Sequence, residues 1–289
     1  MTTTALDPDA ANRGGTGPRV LVIGGGWAGL SAAIELARHG LAPTLLESAR
    51  QLGGRARCVR FGERRVDNGQ HVMLGAYHAL RRVLLTVGLD EAEVLERRAL
   101  DLLLLHAHAR THLRAPRLVA PWHLVAALAG ARGLGPHDKL QAIRFVRVLA
   151  GKAFRIEPDC SVERLLRMHR QPRGLVRAVW EPLCIAALNA PVGRASAQIF
   201  AHVLGEAFTG DARHSDLLLP RADLGAVLPA PAFDYIETRG GRVRLGHRVR
   251  DLLLGTRGVE GVRLADGREL AAEHAVVAVP HWICARLLE

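Results

Sequence analysis

Near the start of the chain, the spacing of apolar residues changes from a continuous run to helical spacing and back to a run. Four consecutive apolar residues, Val20–Ile23, have the length and branching of a buried parallel strand. Apolar positions then recur every three or four residues, which predicts a helix that ends at Gly40. A second apolar run, at residues 42–46, predicts another strand. The apolar face of the predicted helix consists of Leu30, Ala33, Ile34 and Ala37.

Helical spacing dominates the middle of the chain, whereas its last part returns to strand patterns. Residues 100–113 are an exception in the middle and predict strands, with His106, His108 and His112 on one alternating face. The predicted helices cover residues 79–87, 124–131, 137–150 and 161–169. The predicted late elements are strands at residues 243–245 and 249–253, a hairpin at 259–264 and 269–272, and a buried strand at 274–279.

The segment between the first strand and helix contains glycines in G-x-G-x-x-G spacing, at Gly24, Gly26 and Gly29. In a dinucleotide site, the first glycine permits a tight turn, the second admits a diphosphate and the third lets helix and strand pack closely. Glu47 follows the second strand, where a carboxylate can accept hydrogen bonds from ribose hydroxyls. Together, these features predict a dinucleotide site at the amino end of the first helix.

A second glycine motif, Gly53-Gly54-Arg55, follows Glu47 after a short spacer. This order resembles the flavin-dependent amine oxidase and phytoene desaturase superfamily, in which such a loop closes over the diphosphate of FAD. The resemblance implies an FAD cofactor, a phosphate contact for Arg55 and a backbone contact to adenine at Val249. The alternatives are a solvated Arg55 and a Val249 that only fills the sheet. The cofactor-binding residues expected on these grounds are Gly24, Gly26, Trp27, Ala28, Gly29, Glu47, Gly53, Gly54, Arg55 and Val249.

The resemblance implies an α/β fold in which both ends of the chain build one domain. We expect a Rossmann-like FAD-binding domain, a parallel sheet with helices, from residues 19–75 and 233–289. Residues 76–232 would form an inserted, largely helical substrate domain, and residues 1–18 a flexible tail. Superfamily members continue to a C-terminal flavin-binding motif that residues 280–289 do not match, so we expect the sequence to be C-terminally truncated.

Two further phrases narrow the resemblance, DNGQHVMLGAY at residues 67–77 and WEPLCIAALN at residues 180–189. They resemble the squalene-associated FAD-dependent desaturases, understood as hydroxysqualene dehydroxylases of hopanoid biosynthesis. The implied substrate is an apolar isoprenoid, which would lose a hydroxyl group to a hydride from reduced FAD. The alternatives are a phytoene-type polyprenoid desaturase and a truncated, non-catalytic remnant that binds flavin or a membrane.

Three titratable residues in these phrases are candidates for catalysis, namely Asp67, His71 and Glu181. Each has a structural alternative. Asp67 can cap a turn together with Asn68, and His71 can form a hydrogen bond inside the fold. Glu181 can stabilise the amino end of a helix.

The net charge of +11 comes almost wholly from arginines spread along the chain, and aromatic residues make up 4%. Without a nucleic-acid-binding motif or a stacking surface, this composition argues against nucleic acid and leaves an anionic membrane surface as a partner. The uncharged residues 118–131 fit either an interfacial helix or a core helix. Because residues 1–18 lack an apolar signal core, we expect a cytoplasmic protein, with peripheral contact to the inner membrane face left open. The three histidines have no cysteine or carboxylate nearby in the sequence, so no metal site is predicted. The sequence does not determine the oligomeric state.

Overall fold

The computed structural model describes residues 17–106, 109–256 and 258–288. Residues 1–16 of the predicted tail, and His108 of the predicted histidine face, lie outside these ranges. The chain divides into two compact units. The first unit combines the part up to His71, the segment Ala79–Leu95 and the part from Pro220 onward. The second unit combines Val72–His78 with Glu96–Leu219, so both ends of the described chain belong to the same unit.

Strands and helices alternate mainly in the first unit, and helices predominate in the second. The strands are β1 Val20–Ile23, β2 Thr44–Glu47, β3 Cys58–Phe61, β4 Arg64–Asp67, β5 Met73–Leu74, β6 Leu95–Arg98, β7 Asp101–His106, β8 Ala109–Arg114, β9 Leu217–Pro220, β10 Arg242–Leu245, β11 Val249–Gly255, β12 Gly258–Leu264, β13 Glu269–Ala271 and β14 His274–Val277. The helices are α1 Trp27–Arg38, α2 His78–Thr86, α3 Glu91–Val94, α4 Trp122–Ala129, α5 Pro136–Gly151, α6 Val162–Met168, α7 Arg173–Leu175, α8 Glu181–Leu188, α9 Ala197–Phe208, α10 Leu224–Val227, α11 Pro229–Thr238 and α12 His281–Leu288.

A parallel sheet in the order β10-β2-β1-β14 forms the centre of the first unit. Val22 of β1 pairs with Leu45 on one side and with Val276 on the other. Strands β1 and β2 are buried along their whole length, as strands covered on both faces must be. The predicted α/β fold with a parallel sheet is therefore confirmed.

The expectation of a buried strand over residues 274–279 is wrong in two respects. Strand β14 ends at Val277, and its residues are half-buried or exposed. The physical reason is its position at the edge of the sheet, where it has a strand neighbour on one side only.

Two apolar layers cover the faces of this sheet. On one face, Leu30 and Ile34 of α1 pack with Leu228 and with Ile236 of α11. The other face packs against β12, β13 and α12. The predicted hairpin of β12 and β13 is confirmed, since these strands are antiparallel and pair Val262 with Leu270. The α1 helix is thereby fixed against the sheet along its whole apolar side.

The second unit is built around large buried side chains. One apolar cluster contains Trp180, Phe145 and Phe200, which are 1%, 2% and 1% exposed. The four helices predicted from apolar spacing correspond to α2, α4, α5 and α6. Each observed helix end lies within two residues of the predicted end. Ser161 caps α6, since its hydroxyl accepts the N–H of Arg164. Within the described ranges, no helix has both the length and the apolarity needed to cross a bilayer.

Residues 100–113 do not form one alternating face of histidines. They fold into a hairpin in which Leu103 pairs with His112 and His106 pairs with Ala109, so His106 and His112 belong to different strands. The Nε2 atom of His112 lies 2.5 Å from the carboxylate of Asp101. In the part of the chain that the structure describes, no three His, Cys, Asp or Glu side chains are placed to share a metal ion.

Candidate functional site

The turn between β1 and α1 is so tight that the first and third glycines of its motif have no room for a side chain. Gly24 has a φ of +108°, and a Cβ atom there would lie 2.5 Å from the carbonyl oxygen of Ala278. A Cβ atom on Gly29 would lie 1.8 Å from the carbonyl oxygen of Gly24. The first and third glycines of the motif therefore allow β1, α1 and the segment after β14 to approach closely.

The amino end of α1 offers unpaired backbone donors. The helix starts after Gly26, which provides no side-chain cap. The first intrahelical N–H of this turn belongs to Leu30, which donates to the carbonyl oxygen of Gly26. The amides of Trp27, Ala28 and Gly29 precede it and carry the positive end of the helix dipole. This helix end is suited to bind an anion such as a phosphate.

The second glycine motif lies directly against this helix end. The N–H of Gly53 donates to the carbonyl oxygen of Gly25 at 2.8 Å. Gly54, with a φ of +60°, approaches so closely that a Cβ atom on it would lie 3.0 Å from the Cα atom of Gly26. The indole N–H of Trp27 donates to the carbonyl oxygen of Ala56 at 3.0 Å, which holds the loop in place. The two glycine motifs thus pack backbone against backbone and together form a glycine-lined cradle at this helix end.

Two arginines, Arg55 and Arg57, follow the glycines of the second motif. Arg55 is exposed, as a side chain that reaches a phosphate from the surface can be. The Nε atom of Arg57 is buried and has no hydrogen-bond partner among the described residues. A buried unpaired donor is costly unless an acceptor meets it. The uncapped helix end, the glycine cradle and this donor fit the diphosphate of a dinucleotide.

Glu47 is buried at the end of β2, and its carboxylate organises the turn. Its Oε2 atom accepts the N–H of Gly25 at 2.6 Å. Its Oε1 atom accepts the N–H of Ala49 at 2.7 Å and the hydroxyl of Ser48 at 3.1 Å. Because each carboxylate oxygen can accept two hydrogen bonds, Oε2 keeps one position for a ribose hydroxyl. The structure therefore adds a positioning role to the ribose contact that the sequence predicts.

Replacing Glu47 by glutamine is expected to weaken FAD binding about tenfold or more, because glutamine has one side-chain oxygen and one of the two amides therefore loses its acceptor. Fluorescence titration with FAD measures this change. The matched control is Glu63→Gln, which makes the same substitution at an exposed turn residue. Equal FAD affinity of Glu47→Gln and the unchanged protein would contradict the assigned role of this carboxylate.

Asp67 lies at the end of β4, where it pairs with Cys58 of β3. Its Oδ1 atom accepts the N–H of Leu224 at 2.9 Å and so fixes the start of α10. The same corner contains an ion pair of Arg65 with Asp223 at 3.2 Å. A hydrogen bond to the Cys58 thiol and the charge of Asp223 raise the pKa of Arg65. One oxygen of Asp67 is therefore already occupied in holding the fold.

The residues after Asp67 are tied to the second glycine motif. The backbone N–H of Asn68 donates to the carbonyl oxygen of Arg57 at 2.8 Å. Its side-chain amide donates to the carbonyl oxygen of Arg55 at 3.4 Å. His71 places Nδ1 3.0 Å from the carbonyl oxygen of Gly69. Nδ1 must carry the hydrogen in that contact, which leaves Nε2 as the acceptor. Asn68, which the sequence suggested only as a turn cap, connects the candidate catalytic loop to the cradle.

The remaining predicted site residues lie apart along the chain. Glu181 is the first residue of α8 and belongs to the second unit. Burial and the charge of Glu181 raise the pKa of the Cys184 thiol. Val249 starts β11, and two residues before it the N–H of His247 donates to the carbonyl oxygen of Glu47 at 2.8 Å. The start of β11 is therefore held beside the acid that the sequence assigns to ribose.

Known proteins are similar to this chain in sequence or in fold. The hydroxysqualene dehydroxylase of Rhodopseudomonas palustris is 31% identical over 236 residues, which are 81% of this chain and 54% of that protein. The zeta-carotene desaturase of Arabidopsis thaliana is 24% identical over 81% of this chain and 44% of its own length. A crystal structure of an oxidoreductase from Methanosarcina mazei has a TM-score of 0.68 at 15% identity, over 93% of this chain and 60% of that chain.

The chain thus spans 54% of the Rhodopseudomonas palustris relative. A model of the family described as flavin containing amine oxidoreductase matches residues 27–289, which is most of the sequence. The family carries an FAD cofactor, in agreement with the cradle described above. The chain belongs to the flavin-containing amine oxidoreductase family.

Proposed function

We propose that this protein removes the hydroxyl group of hydroxysqualene reductively, giving squalene. The observation that carries the proposal is the 31% identity to a hydroxysqualene dehydroxylase over 81% of the chain, on a cradle that fits FAD. In this proposal, residues 19–75 and 233–289 form the flavin domain and residues 76–232 the substrate domain. The wider class, an oxidoreductase of the flavin amine oxidase and carotenoid desaturase group, follows from the family.

The proposed reaction needs one hydride and one proton for each hydroxyl group removed as water. Reduced FAD, when bound, supplies the hydride to the carbon that loses the hydroxyl group. The protein must supply the proton and keep water from the cation-like carbon. The glycine cradle and Glu47 would hold the cofactor, with Arg55, Arg57 and Val249 as further contacts.

Among the candidate acids, His71 suits proton transfer better than Asp67. The Oδ1 atom of Asp67 is committed to the N–H of Leu224, at 2.9 Å. The Nδ1–H of His71 is committed to Gly69, but Nε2 remains to take and give a proton. Glu181 is the alternative candidate for proton transfer.

Replacing His71 by glutamine is expected to lower the rate about a hundredfold while the FAD dissociation constant stays unchanged. An amide can keep the contact to Gly69 but cannot transfer a proton. Single-turnover kinetics beside FAD titration separates the two effects. His137→Gln, at an exposed histidine, is the control. Unchanged kinetics of the His71→Gln protein would contradict proton transfer by His71 and would favour Glu181 for this role. The Glu181→Gln variant is therefore measured in parallel.

Product analysis tests the reaction itself. The protein is loaded with FAD, reduced without oxygen and incubated with hydroxysqualene, and the extract is analysed by gas chromatography and mass spectrometry. We expect squalene with reduced FAD and none with oxidised FAD. A protein that binds FAD but forms no squalene under these conditions contradicts the proposal.

A second candidate function is a polyprenoid desaturase. It is favoured by the 24% identity to a zeta-carotene desaturase. A desaturase removes hydrogen from its substrate and therefore reduces oxidised FAD. Reduction of bound FAD by a carotene, with no squalene formed from hydroxysqualene, would support this candidate over the first.

A further inference from the structure

Large apolar side chains stand exposed in the short segment 117–122 of the second unit. Leu118, Val119 and Trp122 are 47%, 74% and 61% exposed, within five residues of one another. The basic residue Arg117 precedes them and is exposed as well. Scattered exposed apolar residues are normal, but a cluster that includes a tryptophan marks a contact surface.

The segment is held firmly in this position. The N–H of Trp122 donates to the carbonyl oxygen of Val119 at 2.9 Å, and that of Leu118 to Pro116 at 2.8 Å. One side of α4 faces inward, with Leu124 and Leu128 buried in the apolar core. Residues 118–131 therefore combine both alternatives of the sequence analysis, since their first part is exposed and their second part is core.

A cavity of about 640 Å³ lies behind the segment. Leu118 and Val119 line this cavity and are exposed, so the cavity reaches the surface at the segment. Its inner wall includes His123, which is 2% exposed and places Nε2 3.1 Å from the hydroxyl of Ser215. Two of the exposed apolar residues, Leu118 and Val119, thus lie at the opening of a cavity.

Charge around the opening is mainly positive. Arg117 and Arg213 line the cavity and are exposed. Arg97 also lines it, but is paired with Asp216 at 3.1 Å. Asp211 is the remaining acid of the lining and accepts the backbone N–H of Arg213 at 2.9 Å. The two exposed guanidinium groups can bind phosphate groups at the level of the apolar side chains.

We propose that the segment 117–122 docks on an anionic lipid bilayer, with Leu118, Val119 and Trp122 at the boundary of headgroups and acyl chains. Tryptophan favours that boundary because one side of its ring is apolar and its N–H is polar. Arg117 and Arg213 then contact lipid phosphates. A bilayer suits this surface better than a protein partner because exposed apolar side chains occur beside two exposed arginines at a cavity that reaches the surface. The proposal is independent of the proposed reaction.

Vesicle sedimentation tests the docking surface with the full chain and without substrate. The vesicles contain phosphatidylcholine alone, or with about a third phosphatidylglycerol, and binding is measured at low and high salt. We expect binding to the anionic vesicles, weakened by salt. The double variant Val119→Ser, Trp122→Ala should bind at least about tenfold more weakly, and Arg117→Gln about fivefold more weakly.

Matched controls lie elsewhere on the surface. Trp282, which is 56% exposed in the first unit, is replaced by alanine, and the exposed Arg60 by glutamine. Both controls should bind like the unchanged protein, and circular dichroism shows whether every variant is folded. Equal binding of all variants overturns the proposal, as does the lack of binding to anionic vesicles. Self-association in solution that the Trp122→Ala change abolishes also overturns it, because a second copy would then cover the segment.

Discussion

Replacing Gly29 by alanine is expected to abolish FAD binding and to lower the free energy of unfolding by about 3 kcal/mol or more. The added Cβ atom would lie 1.8 Å from the carbonyl oxygen of Gly24. The obstacle is backbone and not the end of a flexible side chain, so relief requires α1 to move away from β1. That movement displaces the amides of the cradle from the diphosphate. Urea denaturation measures the first effect and FAD titration the second.

The control for this variant is Gly151→Ala. Gly151 is the last residue of α5, and a Cβ atom there meets no neighbouring atom within 4 Å. Alanine favours a helix over glycine by about 1 kcal/mol, so the control should be as stable as the unchanged protein or more stable. A Gly29→Ala protein that binds FAD as the control does would show that α1 and β1 do not pack as described.

Replacing Trp180 by alanine is expected to lower the free energy of unfolding by about 3–5 kcal/mol. Trp180 is 1% exposed and packs edge-on against Phe145 with ring centroids 5.2 Å apart. Its indole N–H donates to the side-chain oxygen of Gln171 at 2.9 Å, which would lose this partner in the buried core. Denaturant unfolding followed by circular dichroism measures the change.

A second substitution separates packing from hydrogen bonding at this position. Trp180→Phe keeps an aromatic ring and removes the N–H, so we expect a smaller loss of about 1–3 kcal/mol. Trp122→Ala is the control, because this tryptophan of the same unit is 61% exposed. Its stability should change by less than about 0.5 kcal/mol. Similar unfolding curves for Trp180→Ala and Trp122→Ala would contradict the core described for the second unit.

Much of the flavin unit could be predicted from sequence because its constraints are local. Gly29 is required by its distance to Gly24 within a single turn and Gly24 by its φ of +108°, and the spacing of both is visible in the sequence. The strand β1 is buried on both faces and is therefore an unbroken apolar run. The edge position of β14 depends on the order of strands in the sheet, which spacing does not reveal.

The less predictable features depend on contacts between distant residues. Asp67 binds Leu224, which is 157 positions away, and no local pattern indicates that pair. The histidines of residues 100–113 suggested one face, but the hairpin separates His106 from His112. Asn68 did carry a signal, since an Asn-Gly pair marks a turn, yet its contacts to the second glycine motif required the structure.

The central claim is that the cradle formed by Gly24, Gly26, Gly29 and Gly54 holds FAD. The most direct test is the visible absorption spectrum of the purified protein, mixed with FAD and then desalted. We predict that both flavin bands remain with the unchanged protein and are lost with Gly29→Ala. A folded, unchanged protein that is colourless after this treatment would contradict the claim.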